Sequence, residues 1–388
     1  MTDEHQEQTQ PAGIEPGLPP YEFINSSGEW GRCIEQMREA PRIAVDVESN
    51  SLFAYRETVC LIQLSIPGHD YILDPLAGFS IRALGDILAN PAIEKVFHAS
   101  EYDLILFKRI YDWDVVNLFD TMWAARVLGY TNMGLAGFLR EFYGVEQRKR
   151  FQKANWARRP LSDGQLAYAQ IDTHYLLRLR DDFAARLEAT GRMAEAQELF
   201  AQATQVRQPT RTFDPEGFWA LRGARDLKPA GLAVLRELFI LRENEAKRRN
   251  QPPFKVLNNS ALIAIAQATP TSLEALGAIP GVGNRTRDRL GTQILGAIKR
   301  GKKAPLPKPP KRPRRRTQSV TDRYMRLQQW RKEAAEARGV PSDVILSKDD
   351  MWVIAENKPG TLDDLGRISS LGPHRLVLHG EAILDQLD

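Results

Sequence analysis

The chain has 388 residues, 43% of them hydrophobic and 26% charged, with a formal net charge of only +4. That balance supports two or three ordinary globular domains and excludes a collagen-like or wholly disordered polymer. No apolar run approaches the ~18 residues of a membrane span, and no basic-then-apolar leader opens the chain. A cytoplasmic protein is therefore expected, or a nuclear one in a eukaryote, with no membrane partner. The two cysteines, Cys33 and Cys60, form no Cys-x-x-Cys pair and read as reduced core residues.

Residues 1–20 are polar and rich in Pro and Gly, the composition of a disordered tail. A first domain is expected over 21–205. Within it Arg42–Val47, Val59–Ile66, Tyr71–Asp74 and Glu94–His98 read as strands. Ile81–Ala89, Glu101–Tyr111, Asp120–Leu128, Leu135–Tyr143 and Ser162–Leu187 read as helices. Strands that come early, with helices interleaved and then dominant, predict an α/β domain with a mixed sheet.

After Gln205 strand signals vanish, and two all-helical domains are expected over 226–301 and 321–388. Between them, 302–320 reads as a basic linker. Its core, Lys302–Arg316, holds eight Lys or Arg and no acid, with too much Pro for a helix. Such a run points to a polyanionic partner, with a solvated spacer or a nuclear localisation signal as alternatives. The two helical segments are one unit written twice: adding 89 takes Arg242 to Arg331, Pro252 to Pro341, Leu257 to Leu346, Ile265 to Ile354, Gly283 to Gly372 and Ile294 to Ile383.

In the first domain, acids stand beside apolar sequence. Asp46 and Glu48 lie two apart on a strand, so they share a face and repel. Asp103 falls in the first turn of a helix that follows a buried strand. Tyr168 and Asp172 share one helix face at i, i+4 spacing. Each has a bland reading alone: a solvated strand end, an acid answering a helix dipole, a chance spacing. Together they offer four carboxylates from three separated elements. An all-oxygen ligand set suits Mg²⁺ or Mn²⁺, and four carboxylates are what a two-metal phosphodiesterase needs, with ions ~3.5–4 Å apart.

This pattern resembles the DEDD exonucleases of the tyrosine subclass. Further segments resemble ribonuclease D: Cys60–Leu64 (CLIQL), Asp74–Pro75, His98–Asp103 (HASEYD), Asp120–Thr121 and Trp156–Leu161 (WARRPL), so that the likeness covers Tyr21–Leu187. It implies a ribonuclease H-like mixed-sheet exonuclease domain followed by two small all-helical domains, themselves similar to the helicase-and-RNase-D C-terminal (HRDC) domain. By this resemblance Asp46, Glu48, Asp103 and Asp172 hold two divalent ions, Mg²⁺ or Mn²⁺, and Tyr168 orients or deprotonates the attacking water. A phenol of ordinary pKa ~10 is a poor base at neutral pH. The implied reaction is hydrolysis of RNA from a free 3′ end, releasing nucleoside 5′-monophosphates, with transfer RNA precursors as substrates. The sequence departs from the family pattern after Glu48, where Ser49 and Asn50 replace an early aromatic and Phe53 and Tyr55 follow later. A DNA 3′→5′ exonuclease is the alternative within the same chemistry, and a non-catalytic RNA-binding protein the alternative outside it.

Two basic segments are candidates for RNA contact. Arg148, Lys149, Arg150, Lys153, Trp156 and Arg159 mix cations with rings just before the Tyr168 helix, a pattern that suits single strands. In the first helical domain Arg285, Arg287 and Arg289 follow a Gly-containing turn at a helix start. Their counterparts in the second copy are His374, Leu376 and Leu378, so the first copy is expected to contact RNA more. His98 either touches substrate or is satisfied by its neighbours. Because every candidate acid precedes Gln205, truncation there is expected to leave an active but weakly binding nuclease.

Overall fold

The computed structural model describes residues 18–147, 149–206, 212–310 and 315–388. Of the expected disordered tail, residues 1–17 lie outside the described residues. The chain forms two compact units. One holds the chain up to Ser49 together with Val59–Gln208 and Arg316–Asp388; the other holds Asn50–Thr58 and Pro209–Arg315. Among the described residues no helix is long and apolar enough to cross a membrane.

The first unit runs β1 (Tyr21–Ile24), α1 (Ser27–Glu39), β2 (Arg42–Ser49), β3 (Val59–Ile66), β4 (His69–Leu73), α2 (Ala83–Leu88), β5 (Glu94–Phe97) and α3 (Glu101–Tyr111). It continues with β6 (Leu118–Asp120), α4 (Thr121–Leu128), α5 (Leu135–Tyr143), α6 (Asp163–His174), α7 (Leu176–Ala189) and α8 (Met193–Ala203). The strands form one sheet in the order β1-β4-β3-β2-β5-β6. β2–β3 and β3–β4 are antiparallel and the other pairs parallel, the mixed sheet expected. Alternate β2 residues feed opposite cores: Ile43, Val45 and Val47 pack with α1, α2 and α3, while Ala44 belongs to the core of α4, α7 and α8.

Four features escaped the sequence patterns, one of them helix α8, which follows the last expected helix of the first domain. The edge strands β1 and β6 have four and three residues, too few to show a period. Helix α1 hides behind two glycines, although its Ser26 N-cap, with Glu29 bonding back to Ser26 and Asn25, is a legible start signal. The helix expected over Ser162–Leu187 is broken at Tyr175, just past the turn where Asp70 of β4 takes the Gln170 and His174 side chains. That tertiary pull has no local signature.

In the second unit α9 (Pro229–Arg249), α10 (Pro253–Val256), α11 (Asn259–Ala268), α12 (Leu273–Gly277) and α13 (Asn284–Lys303) form the first helical module. The second module, which falls in the first unit, is α14 (Gln318–Arg338), α15 (Ser342–Ile345), α16 (Lys348–Asn357), α17 (Leu362–Ile368) and α18 (Pro373–Leu384). Every helix of the second begins 89 residues after its partner. One bond repeats in register: Arg242 donates to the Leu257 carbonyl at 3.3 Å, and Arg331 to the Leu346 carbonyl at 2.9 Å. The basic linker is shorter than 302–320, since α13 runs to Lys303 and α14 starts at Gln318; its residues 311–314 lie outside the described set.

The copies have separate fates. The first builds its own core from Leu235, Leu238, Ile265 and Ile294, against which Tyr55 of the β2–β3 connection packs. The Tyr55 hydroxyl lies 2.5 Å from Glu243, the Arg56 N–H 2.9 Å from Asn250, and Lys255 3.9 Å from the Phe53 ring centre. The second copy shares a core with the nuclease helices, joining Val340, Val344 and Leu371 to Val127, Leu199 and Phe200. Glu195 of α8, 1% exposed, takes a two-pronged bond from Arg338 at 2.8 and 2.5 Å. Glu198 accepts the first N–H groups of α18, from His374 and Arg375.

This corrects the expectation for truncation: a cut at Gln205 would bare the α4–α8 face and strand the Glu195 and Glu198 carboxylates. Removing one partner of a buried pair costs about 3 kcal/mol. Arg338→Ala should therefore shift urea unfolding of the nuclease unit by about that amount, and truncation at Pro310 should abolish its cooperative unfolding. A truncated chain that unfolds like the parent would show the second copy to be dispensable.

Candidate active site

Three elements bring the acids together, each held by its own local device. On β2, Asp46 and Glu48 stand opposite Gln63 and Leu61 of β3, on the face covered by α6. The register slips between Glu48 and Ser49, ending the regular ladder just past the second acid. On α6, a capping box of Ser162 and Gln165 starts the helix that carries Tyr168 and Asp172. Gln147 donates from its amide to Asp172.

Asp103, the third contributor, depends on a turn. Ala99 adopts φ 61°, a left-handed conformation that costs a residue with a Cβ about a kilocalorie or more. Asp120 offsets that cost by accepting from Ala99 at 3.1 Å and Ser100 at 2.8 Å while capping α4 through Met122 and Trp123. Asp120–Thr121 was legible in the sequence only as a likeness; its work as the clamp of the Asp103 turn needed the fold. His98 sits 2.9 Å from Thr121 Oγ1 and also bonds the Met133 backbone, so its neighbours satisfy it although it borders the cleft.

Asp46, Glu48 and Asp172 can each offer one oxygen such that all three lie within 4.8 Å of one another. They border a cleft of about 930 Å³ with Tyr168, Arg140 and Asn132. The carboxyls crowd one another in a poorly solvated place. Burial, then the charges of Asp46, Asp172 and Asp103, push Glu48 up to about 10. Burial raises Asp46 to about 7. Asp103 is driven well above the usual carboxylate range by burial and by Asp46, Asp120 and Asp172. Asp172 is raised likewise, by burial and Asp46, with the Gln147 bond opposing. Tyr168, 7% exposed, is raised further by burial and by Asp172, Glu48 and Asp46. An acidic cluster that prefers to keep its protons fits divalent cations, which reverse the repulsion.

The candidate RNA residues fare unevenly. Arg148 lies outside the described residues, as does the side chain of Lys149. Arg150 and Lys153 are exposed, with the Arg150 guanidinium 4.6 Å over the Phe151 ring. One expectation is corrected. Trp156 is 1% exposed and packs with Cys60, Leu61 and Tyr168, so it has no face for a base. Arg159 is a structural clamp: it grips Asp74 through two bonds of 2.6 Å and the carbonyls of Cys60 and Trp156. Sequence reasoning saw a cation; its buried partner 85 residues away was invisible.

In the first helical module Arg285 and Arg289 are exposed, and Arg287 pairs with Asp288 at 2.9 Å. Burial and the nearby Arg249, Arg285 and Arg248 hold the Arg289 guanidinium below its ordinary value, so the patch is strongly positive even with Glu245 among them. No side chain caps α13.

The raised carboxyls set a pH dependence. A carboxyl whose folded value exceeds its unfolded ~4 binds more protons when folded, so stability is greatest below that value and falls as pH rises through the folded one. Metal-free protein should thus lose stability as pH climbs through about 7 for Asp46 and on towards about 10 for Glu48. Thermal melts in chelator should decline over this range, and Asp46→Asn should flatten the decline. A melting temperature that rises with pH would show that the acids are not crowded.

Residues 21–188 match the 3′-5′ exonuclease family, and 231–298 and 320–387 match the HRDC domain. The chain is 30% identical to ribonuclease D of Nitrobacter hamburgensis, over 94% of each chain. It is 31% identical to ribonuclease D of Gluconacetobacter diazotrophicus, over 76% of this chain and 78% of that one. Among solved structures, Escherichia coli RNase D aligns over 95% of this chain and 99% of that chain, with a TM-score of 0.67 and 23% identity, a likeness of fold. With Asp46, Glu48 and Asp172 gathered on one cleft and both HRDC copies in place, the chain belongs to the ribonuclease D family and is a 3′→5′ exoribonuclease.

Proposed function

We propose that the chain trims the 3′ ends of transfer RNA precursors by a two-metal mechanism. The observation that carries the mechanism is the meeting of Asp46, Glu48 and Asp172 within 4.8 Å, with the charge of Asp103 acting on the same group. These four acids would hold two divalent ions, Mg²⁺ or Mn²⁺. Bound there, the ions supply activation of the water and charge stabilisation at the leaving 3′ oxygen. The reaction breaks the bond between phosphorus and that oxygen, leaving a shortened RNA with a 3′ hydroxyl and a free nucleoside 5′-monophosphate.

Tyr168 serves as an orienting group. Its phenol is held above an already high pKa, so at neutral pH it keeps its proton and holds the water or the phosphate by hydrogen bonds. Asp46→Asn and Asp172→Asn should each abolish hydrolysis while leaving the fold intact. Tyr168→Phe should lower kcat ~10²–10⁴-fold with KM nearly unchanged. The assay is single-nucleotide release from 5′-labelled RNA and matched DNA with Mg²⁺ or Mn²⁺. Turnover near the parent's in either Asp variant would overturn the mechanism, and equal rates on both sugars would overturn the choice of RNA.

The first helical module supplies the RNA-holding surface in this reading, through Arg285, Arg289 and Arg248, joined by the basic run 302–316. The second copy supports the assignment by contrast. Its His374 and Arg375 N–H groups are taken by Glu198, so that helix start is occupied within its own unit. Each single-strand phosphate that a cation no longer neutralises lowers the salt slope of binding by ~0.7. Arg285→Ala with Arg289→Ala should flatten the slope for a transfer RNA precursor by about 1.4, the sum for two phosphates. The same pair should leave a short oligonucleotide unaffected. Unchanged slopes for both substrates would remove the module from the RNA path.

A further inference from the structure

Strand β3 carries one residue that its surroundings do not explain. Gln63 is fully buried, and neither its Nε2 nor its Oε1 has a hydrogen-bond partner among the described residues. A buried polar group left unsatisfied costs ~1–3 kcal/mol. Its neighbours on the strand, Leu61, Ile62 and Leu64, are as buried and wholly apolar. The next polar residue on the same face, Ser65, is fully engaged, bonding Asp70 at 2.7 Å and Thr173 at 2.8 Å. An amide among such residues therefore calls for a partner that the protein side chains around it do not provide.

The register places a candidate across the ladder, although the two side chains do not bond in this structure. Gln63 stands directly opposite Asp46 across β2–β3. Directly opposed residues of an antiparallel pair share a face, with Cβ atoms about 4.5–5.5 Å apart. That puts the Asp46 carboxylate within reach of a glutamine side chain. The contacts of Leu61 and Ser65 with α6, the helix of Tyr168 and Asp172, fix which face this is. Asp46 draws a hydrogen bond from the Val47 backbone, and a carboxylate can accept more than one. An amide suits the position because it donates without adding positive charge, and so does not compete with a cation for the acids. The groups that orient a ligand's second atom govern metal affinity as the ligands do.

We propose that Gln63 is a positioning residue for Asp46 in the cation-bound protein: when one carboxylate oxygen turns towards the cation, the Gln63 amide N–H takes the other, a bond this structure does not make. This rests on the metal-site reading above. The test uses the full chain and Mn²⁺ as the probe, with binding measured by calorimetry and metal-free unfolding measured alongside. Gln63→Met and Gln63→Leu keep the volume and remove the donor. Both should weaken Mn²⁺ binding ~10–100-fold, as loss of a ligand's outer partner does. Both should also leave the metal-free melting temperature unchanged or raised, since an unsatisfied buried amide is gone.

Asp46→Asn is the control. If it leaves Mn²⁺ binding intact, the metal-site reading fails and this assignment with it. If it weakens binding while both Gln63 variants bind Mn²⁺ like the parent, only the assignment of Gln63 falls. Variants that fail to fold, or lose metal-free stability in step with Mn²⁺ affinity, would show Gln63 to be a packing residue and overturn the proposal.

Discussion

Four mutually repelling carboxylates in a poorly solvated place, three of them on the cleft, are the constraint on which the rest of the nuclease unit depends. Left to themselves they would separate or keep their protons, as the raised values of Asp46 and Glu48 record. The scaffold prevents separation by fixing each acid from a different direction. A central strand fixes Asp46 and Glu48, a clamped turn fixes Asp103, and a capped helix fixes Asp172. In the metal-site reading proposed above, divalent charge would turn that repulsion into affinity.

The supports follow one pattern: a buried acid that accepts from several groups at once. Asp120 holds the turn before α3 and the start of α4. Asp70 gathers Ser65, Gln170 and His174, tying α6 to β3 and β4, and these bonds hold its carboxyl below the usual range despite burial. Asp74 receives Arg159 and so anchors the segment leading into α6. None of these acids faces the cleft as a ligand; each fixes an element that presents one.

Duplication of the helical module gave two copies that share a helix order and one internal side-chain bond but differ in outward chemistry. In the first copy a cluster of arginines surrounds an uncapped helix start. In the second the same helix start is closed by Glu198, and Arg338 neutralises Glu195. The first copy also holds the connection that follows Glu48, through Tyr55 and Glu243. The aromatics that stand late after the second acid are thus committed to that module.

By itself the sequence determined what local pattern and spacing encode. The four inner strands, the acids, the Tyr168–Asp172 face and the 89-residue duplication were all legible, because period, spacing and self-similarity are properties of nearby residues. It also exposed the weak points of such reading. The short edge strands had no period to show, and the break at Tyr175 follows residues bonded to Asp70 on β4. Only the tertiary structure decided which charged residues are free. Trp156 looked like a nucleic-acid surface and is interior, while Arg159 stays partly exposed but is bound to Asp74, which lies far along the chain. Only it decided that the second helical copy completes the nuclease core, and that Gln63 lies buried opposite Asp46. The physical reason is common to all three: burial and pairing depend on residues brought together across the chain, and one sequence position carries no mark of what will cover it.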